Sequence, residues 1–145
     1  MSAPRVRWAA FADLTPYELY AILRLRIDVF AVEQWCVYQD LDGRDLEPTT
    51  RHGWVESADG AVLSYLRILG PPGAEVVGRV VTAPTARGEG LGRALMTEAL
   101  ARCGRPVRIE AQTYLLGWYA AFGFTPCGPE YLEDGIPHTP MTLDA

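Results

Sequence analysis

The chain has 145 residues, of which 49% are apolar and 21% charged, and its formal net charge is −5. This length and composition are typical of a single folded domain, residues 1–145, and exclude a disordered chain. The acidic balance argues against a general nucleic-acid surface, because phosphate backbones are bound by clustered Lys and Arg.

The cysteines and histidines bear on the compartment and on metal binding. Cys36, Cys103 and Cys127 lie far apart without a CxxC spacing, which favours free thiols in a reducing compartment. The histidines, His52 and His138, stand at no ligand spacing from a cysteine. No apolar run approaches the roughly 18 residues of a membrane helix, and no signal-peptide pattern occurs. We expect a cytoplasmic protein with no membrane contact and no metal.

A strand at Arg5–Ala10 and a long first helix are predicted at the beginning of the chain. The helix sequence "TPYELYAILRLRIDVFAVEQ" opens with Thr15 as cap, Pro16 in the first turn and Glu18 completing a capping box. Arg26 falls within the apolar stripe of this helix, so its charge must find a partner or reach a cleft. The apolar residues that recur at helical spacing, and are expected to face the core, are Leu19, Ile22, Leu23, Val29 and Phe30.

The rest of the chain alternates between strands and helices. Residues 35–51 are polar and acidic without a period, so we predict a loop that is long enough to carry function. Asp59-Gly60 predicts a hairpin between "HGWVES" and "AVLSYLRI". A helix is predicted within Gly88–Arg102 and a shorter one at "YLLGWYAAF", ending at Gly123. Further strands are predicted at "EVVGRVVT", "VRIEAQ", Thr125–Leu132 and Thr139–Leu143. This order predicts a mixed α/β domain with a β-α-β crossover.

The segment "TARGEGLGRALMTEAL" places Gly88, Gly90 and Gly92 where a strand leads into a helix. Helix N-termini have unpaired N–H groups, and a glycine-rich entry lets a phosphate approach them closely. Arg87 and Arg93 add positive charge, so a pyrophosphate cradle is one interpretation. A flexible turn without a ligand is the other. A Walker A string is missing from the sequence, and "GEGLGR" has the wrong spacing for a Rossmann fingerprint.

The pattern R/Q-x-x-G-x-G/A at Arg87, Gly90 and Gly92 resembles the coenzyme A loop of the GNAT N-acetyltransferase superfamily. "GRVVTAP" resembles the fourth strand of that family and "WYAAFGF" its later helix, and the tail hairpin stands in the expected place. "LRLRIDVFAVEQWCVYQDLDGRDLEPTTRH" and "YLEDGIPHTPM" resemble the ElaA group within the superfamily. The resemblance covers nearly the whole chain. It implies a mixed sheet of six to seven strands flanked by about four helices.

The resemblance also implies a cofactor, acetyl-CoA, and the residues that bind it. Its pyrophosphate would lie on the cradle, and its pantetheine arm along the fourth strand. A backbone N–H near Val80 or Val81 would polarise the thioester carbonyl. Tyr119 would be the catalytic acid; the alternative is a buried aromatic on a short helix. The cofactor-binding residues so implied are Val80, Val81, Thr82, Arg87, Gly88, Glu89, Gly90, Leu91, Gly92, Arg93, Ala94 and Gln112.

The general base is left open by the sequence. Many GNAT enzymes place an acid early in the fourth strand, but this strand has Arg79 inside it and Glu75 only at its edge. Glu110, Glu33, His138 or a water chain could serve instead. Glu110 and Gln112 could equally be surface residues, and His138 a loop histidine.

The acceptor site is expected from the first helix, the acidic loop and the tail hairpin. Arg26 and Glu33 are seven residues apart and are expected on one helix face, and a Glu33 in a cleft would suit a cationic amine. The alternative, preferred for Asp42 and Asp45, is that Arg26 and the acidic loop form a structural ion-pair network. The substrate-binding residues predicted are Arg26, Glu33, Glu110 and His138, with Gln34, Tyr38, Asp42, Asp45 and His52 as further candidates.

Three functions are compatible with these features. The first is an acetyl-CoA-dependent N-acetyltransferase that acts on a small-molecule or peptide amine. The second is a non-catalytic acyl-CoA-binding or sensing module on the same fold. The third is a related acyl transferase with an acyl-carrier donor. Analogy with the fold also allows a homodimer through exposed strand edges.

Overall fold

The structure, a computed structural model, describes residues 4–34 and 39–145. The strands of these residues are β1 (Arg5–Ala9), β2 (Arg51–Glu56), β3 (Val62–Leu69), β4 (Glu75–Thr82), β5 (Val107–Gln112), β6 (Thr125–Pro126), β7 (Tyr131–Glu133) and β8 (Ile136–Leu143). They form one mixed sheet in the order β1-β2-β3-β4-β5-β8-β6, with β7 also paired to β8. Neighbouring strands are antiparallel except for the parallel pair β4–β5.

The α-helices of the described residues are α1 (Pro16–Arg26), α2 (Leu91–Ala101) and α3 (Leu116–Ala120). The capping box of Thr15 and Glu18 at α1 is confirmed. The predicted mixed α/β fold is confirmed, but the described residues form eight strands rather than six or seven and three α-helices rather than about four. The additional strand arises because the predicted strand Thr125–Leu132 is divided into β6 and β7 by residues 127–130.

The first helix does not continue as an α-helix to its end. From Ile27 to Glu33 it is π-helical, and the Gln34 N–H bonds the Val29 carbonyl five residues back at 3.0 Å. Such wide turns are rare and occur often at functional sites. Because a π turn holds more residues than an α turn, Arg26 and Glu33 no longer share a face, which corrects that prediction.

The core lies on both faces of the sheet. Trp54 and Tyr65 face α1, whereas their neighbours Val55 and Leu66 face α2 and α3, as the period of two requires. The buried residues of the first helix are Ile22, Leu25, Arg26, Val29 and Phe30. Leu19 and Leu23, which were predicted to face the core, are only half-buried, and Leu25 takes the core position.

A bulge in β4 separates this strand from β5. Arg79 has a φ of 52°, a left-handed conformation that costs a side-chain-bearing residue on the order of 1 kcal/mol. Beyond the bulge, Val80 packs against the α2 side and Val81 against the α1 side. The pairing of β4 with β5 runs only as far as Val77, so the two strands diverge and leave a gap in the sheet.

The Asp59-Gly60 hairpin joins β2 to β3, as predicted, with Gly60 at a φ of 86°. Short 3₁₀ turns occupy Phe11–Asp13, Arg44–Leu46, Pro84–Ala86 and Thr113–Leu115. Among the helices in residues 4–34 and 39–145, none is long and apolar enough to cross a membrane.

Candidate active site

The gap between β4 and β5 is a cleft of about 1240 Å³ that passes through the sheet. One side is lined by residues from the α2 and α3 layer, including Tyr119 and Trp118. The other side is lined by residues from the α1 layer, including Phe30 and Gln34. Two substrates can therefore enter from opposite faces of the sheet and meet between the diverging strands.

The glycine segment shapes one end of this cleft. Gly88 and Gly90 have φ values of 83° and 76°, so both positions favour glycine. Gly90 caps α2, and the first helical bond is donated by Ala94 to the Gly90 carbonyl at 3.0 Å. Within the described part of the chain no side chain caps this end, so the N–H groups of Leu91 and the next residues are available to an anion.

Gly92 serves a different purpose from the two glycines before it. A Cβ atom at this position would lie 3.2 Å from the Thr82 Oγ1, so the missing side chain allows α2 to pack closely on β4. Two glycines therefore provide backbone conformation and the third provides close packing. These features fit a pyrophosphate, because the N–H groups face a cleft that Arg87 and Arg93 also line.

Tyr119 lies on α3 and is 6% exposed, yet it lines the cleft. Its ring is held edge-on against Trp118 and Phe124, with centroid distances of 5.0 and 6.2 Å. Burial raises the pKa of its phenol above the ordinary value. The hydroxyl therefore keeps its proton at neutral pH and can donate it.

The backbone of β4 beyond the bulge presents hydrogen-bonding groups to the cleft. Ala83 donates its N–H to Leu63 on β3, and the Val81 carbonyl accepts from Ser64 on β3. Since consecutive residues of a strand point their polar groups to opposite edges, the N–H of Val80 points away from β3 and toward the gap.

Glu110 and His138, which were predicted to bind the acceptor, and Gln112, which was predicted to contact the cofactor, share one polar face of β5 and β8 that lines the cleft. This face is called the acceptor face below, after the prediction for Glu110 and His138. Glu110 accepts a 2.6 Å hydrogen bond from the Tyr131 hydroxyl. Gln112 donates to Gln34 at 3.3 Å. The ring of His138 stacks on Tyr131 at 5.8 Å. Glu110 is therefore solvent-exposed, as the alternative prediction had it, and at the same time lines the cleft and bonds Tyr131.

Arg26 is placed outside this cleft, which corrects its prediction as a substrate-binding residue. It is completely buried and bonds Asp40 at 2.9 Å and Asp45 at 2.8 Å. Burial lowers the pKa of the Arg26 guanidinium, but Tyr65 together with the carboxylates of Asp45 and Asp40 outweighs that effect, and the pKa is raised. Arg67 on β3 bonds Asp42 at 2.6 Å and Asp45 at 3.1 Å. Arg26 and the acidic loop therefore form a structural ion-pair network, which was the alternative prediction.

Arg79 extends the same network to the bulge of β4. Its guanidinium bonds Asp40 at 2.9 Å and approaches Asp42 to 3.4 Å. The acidic loop is thereby attached to the strand that lines the cleft. His52 completes the network: its Nε2 donates to the Asp45 carbonyl, so its Nδ1 accepts from the Tyr65 hydroxyl. Burial lowers the pKa of His52, which keeps the imidazole neutral.

Most of the predicted cofactor and acceptor residues line the cleft, and a few do not. Glu89 and Ala94 are exposed beside it, and Asp45 and His52 are buried in the network. Tyr38 lies outside the described residues. Lining residues that the sequence analysis missed include Phe30, Gln39, Arg44, Arg67, Tyr114, Trp118 and Glu133. Arg67 could have been noticed in the sequence, because it is the one charged residue of the apolar strand "AVLSYLRI".

Acidification is expected to destabilise the protein through this network. Hydrogen bonds from Arg67 lower the pKa of Asp42, and the arginine bonds of Asp45 outweigh its burial, so its pKa is lowered as well. A carboxyl group whose pKa is lower in the folded state stabilises the fold above its unfolded pKa of about 3.9. This contribution is lost as the pH falls below about 4. Unfolding midpoints measured between pH 7 and pH 3 would show it, and Asp42→Asn should flatten the dependence.

The fold and the site together are those of acyl-CoA-dependent acyltransferases. The parallel strands β4 and β5 diverge, and the cleft between them opens beside the N-terminus of α2, which is capped by Gly90. A family model described as an acetyltransferase (GNAT) domain matches residues 26–145. UPF0039 protein Rv2851c of Mycobacterium tuberculosis is 49% identical over 139 residues, which cover 92% of this chain and 88% of the relative.

Two solved structures are closely similar in fold. ElaA from Escherichia coli has a TM-score of 0.91 and 37% identity, covering 98% of this chain and 100% of its own. An acyl-CoA N-acyltransferase from Pseudomonas aeruginosa has a TM-score of 0.89 and 44% identity, covering 97% and 99%. The chain belongs to the GNAT acetyltransferase family and, within it, to the group that contains ElaA and the UPF0039 proteins.

Proposed function

We propose that the protein is an N-acetyltransferase that moves an acetyl group from acetyl-CoA to a primary amine by direct attack in a ternary complex. The observation that carries this proposal is the cleft itself. It brings the uncapped start of α2, Tyr119 with its raised phenol pKa, and the polar face of Glu110, Gln112 and His138 to one gap in the sheet.

Acetyl-CoA would supply the acetyl group and a thiolate leaving group. The N–H groups at the start of α2 would bind its pyrophosphate, assisted by Arg87 and Arg93. The N–H of Val80 would donate to the thioester carbonyl, and Tyr119 would donate its phenolic proton to the departing sulfur.

The amine proton would leave on the acceptor face, to Glu110 or His138 directly or through water. Glu75, the acid at the edge of β4, is excluded from this role by its position. It is buried at the far end of the strand, where it accepts 2.9 Å bonds from the N–H groups of Gly73 and Gly104 and pairs with Arg51. Its function is structural.

Gly90→Glu is expected to weaken acetyl-CoA binding at least tenfold, measured by calorimetry. The substitution strains a position of positive φ and places a negative charge at the helix end that would hold the pyrophosphate. A tenfold loss corresponds to about 1.4 kcal/mol.

Gly60→Glu is the matched control for this measurement. Gly60 also has a positive φ, 86°, and open space around its Cα, but it lies in the β2–β3 hairpin away from the cleft. It should bind like the wild type. A folded wild type that binds no acetyl-CoA would refute the proposal.

A non-catalytic acyl-CoA-binding module is the second candidate. It is favoured by the fourth strand, which has Arg79 inside it and its one acid, Glu75, only at its edge, so that no general base stands early in this strand. Thiol release with a panel of amines discriminates the two. Turnover that depends on Tyr119 would eliminate the binding module. The third function, an acyl transferase with an acyl-carrier donor, is tested by comparing turnover of acetyl-CoA with that of long-chain donors linked to CoA or to an acyl carrier.

A further inference from the structure

An ion pair connects the two substrate regions of the cleft. Both guanidinium ends of Arg87 bond the Glu33 carboxylate, at 2.7 and 2.9 Å, although the residues are 54 positions apart. Arg87 precedes the glycine cradle, and Glu33 is the last residue of the π-helical segment. Both residues line the cleft.

The geometry leaves little of Arg87 for a second anion while this pair is intact. Its Nε donates to the Thr82 carbonyl at 3.1 Å, so the base of the guanidinium is anchored at the end of β4. Its two amino groups then form a fork that matches one carboxylate, or one phosphate, in bidentate geometry. An anion that approaches the cradle therefore meets an arginine already neutralised by Glu33.

Glu33 reaches Arg87 because of the π-helical segment. The wide turn rotates Glu33 away from the face of Arg26 and toward the loop before α2. The next residue, Gln34, contacts Gln112 on the acceptor face. A carboxylate released from Arg87 would thus lie beside the region where the amine would bind.

We infer that Glu33 and the pyrophosphate of the donor compete for Arg87, and that donor binding releases the Glu33 carboxylate to recognise a cationic nitrogen of the acceptor. This inference rests on the proposed function. It makes Glu33 a specificity-determining residue for acceptors that carry a positive charge in addition to the reacting amine.

The pyrophosphate can replace Glu33 on Arg87 only if the Arg87–Glu33 ion pair is weak. The solvent exposure of the two side chains indicates a weak pair. The side chains of Arg87 and Glu33 are 45% and 41% exposed. Solvent-exposed pairs contribute at most about 1 kcal/mol, which limits the competition to about fivefold in donor affinity. The pair can therefore be displaced without preventing donor binding.

Calorimetry of coenzyme A binding tests the competition. Glu33→Gln is expected to tighten binding about twofold to fivefold. Asp28→Asn is the matched control, since Asp28 is an exposed carboxylate of the same segment whose partner is Arg24 instead. In an Arg87→Gln background, Glu33→Gln should have no further effect. Equal affinities for wild type and Glu33→Gln, or equal gains in Glu33→Gln and Asp28→Asn, would overturn the inference.

Steady-state kinetics with 1,4-diaminobutane and butylamine test acceptor recognition. Glu33→Gln should raise the KM of the diamine about tenfold relative to that of the monoamine. Equal changes for the two amines would overturn this part. Coenzyme A binding that is intact in every variant but insensitive to Glu33 refutes only this inference. Absence of binding by the wild type refutes the proposed function as well.

Discussion

Tyr119→Phe is expected to lower turnover by about 10²- to 10⁴-fold, the range typical of a lost general acid. Coenzyme A affinity should stay within about twofold, because the substitution removes one hydroxyl and leaves the ring against Trp118 and Phe124. The phenol is a suitable donor since burial raises its pKa and keeps it protonated. Thiol release at saturating amine and donor measures the effect.

Tyr17→Phe is the control for this substitution. Tyr17 is 87% exposed on α1 and does not line the cleft, so its hydroxyl should not affect turnover. Retained turnover in Tyr119→Phe would show that the thiolate is protonated by another group or by water. A parallel loss of coenzyme A binding would show instead that the hydroxyl positions the donor.

Arg26→Ala is expected to reduce the free energy of unfolding by about 3–5 kcal/mol, the cost of breaking a buried pair. The substitution leaves the carboxylates of Asp40 and Asp45 without their shared partner inside the protein. It also removes side-chain volume from the α1 core. Urea unfolding at neutral pH, followed by circular dichroism, measures the loss.

Arg24→Ala, two residues away on the same helix, provides the comparison. Arg24 is exposed, and its pair with Asp28 at 3.8 Å should contribute no more than about 1 kcal/mol. A loss below about 1 kcal/mol in Arg26→Ala as well would contradict the buried network, since exposed positions give losses of that size.

Local signals in the sequence located most elements correctly. Thr15 and Glu18 begin α1, Asp59-Gly60 turns the first hairpin, and "VRIEAQ" coincides with β5. Each of these depends on residues that are neighbours along the chain. The glycine-lined end of the cleft was predictable for the same reason, because its glycines and arginines lie within one short segment.

The opposite side of the cleft, where we propose that the acceptor binds, was less predictable. The Tyr131–Glu110 bond joins residues on β7 and β5, and the Arg87–Glu33 pair joins a loop to the first helix. The role of Arg26 was predictable from the sequence only in part. Its place in an apolar stripe indicated that it needs a partner, but not whether the partner would be a ligand or the acidic loop.

By itself the sequence determined the type and order of most elements and the glycine-lined start of α2, because these follow from caps, periodicity and short motifs. The acyltransferase family was indicated by the resemblance of quoted segments such as "GRVVTAP" and "WYAAFGF" to that family. The tertiary structure alone decided that β4 diverges from β5, that Arg26 is occupied by aspartates and that Glu33 faces Arg87. These features depend on contacts between distant segments. A bulge, a π turn and a buried charge network each cost free energy locally and are stabilised by packing and ion pairs formed elsewhere in the fold.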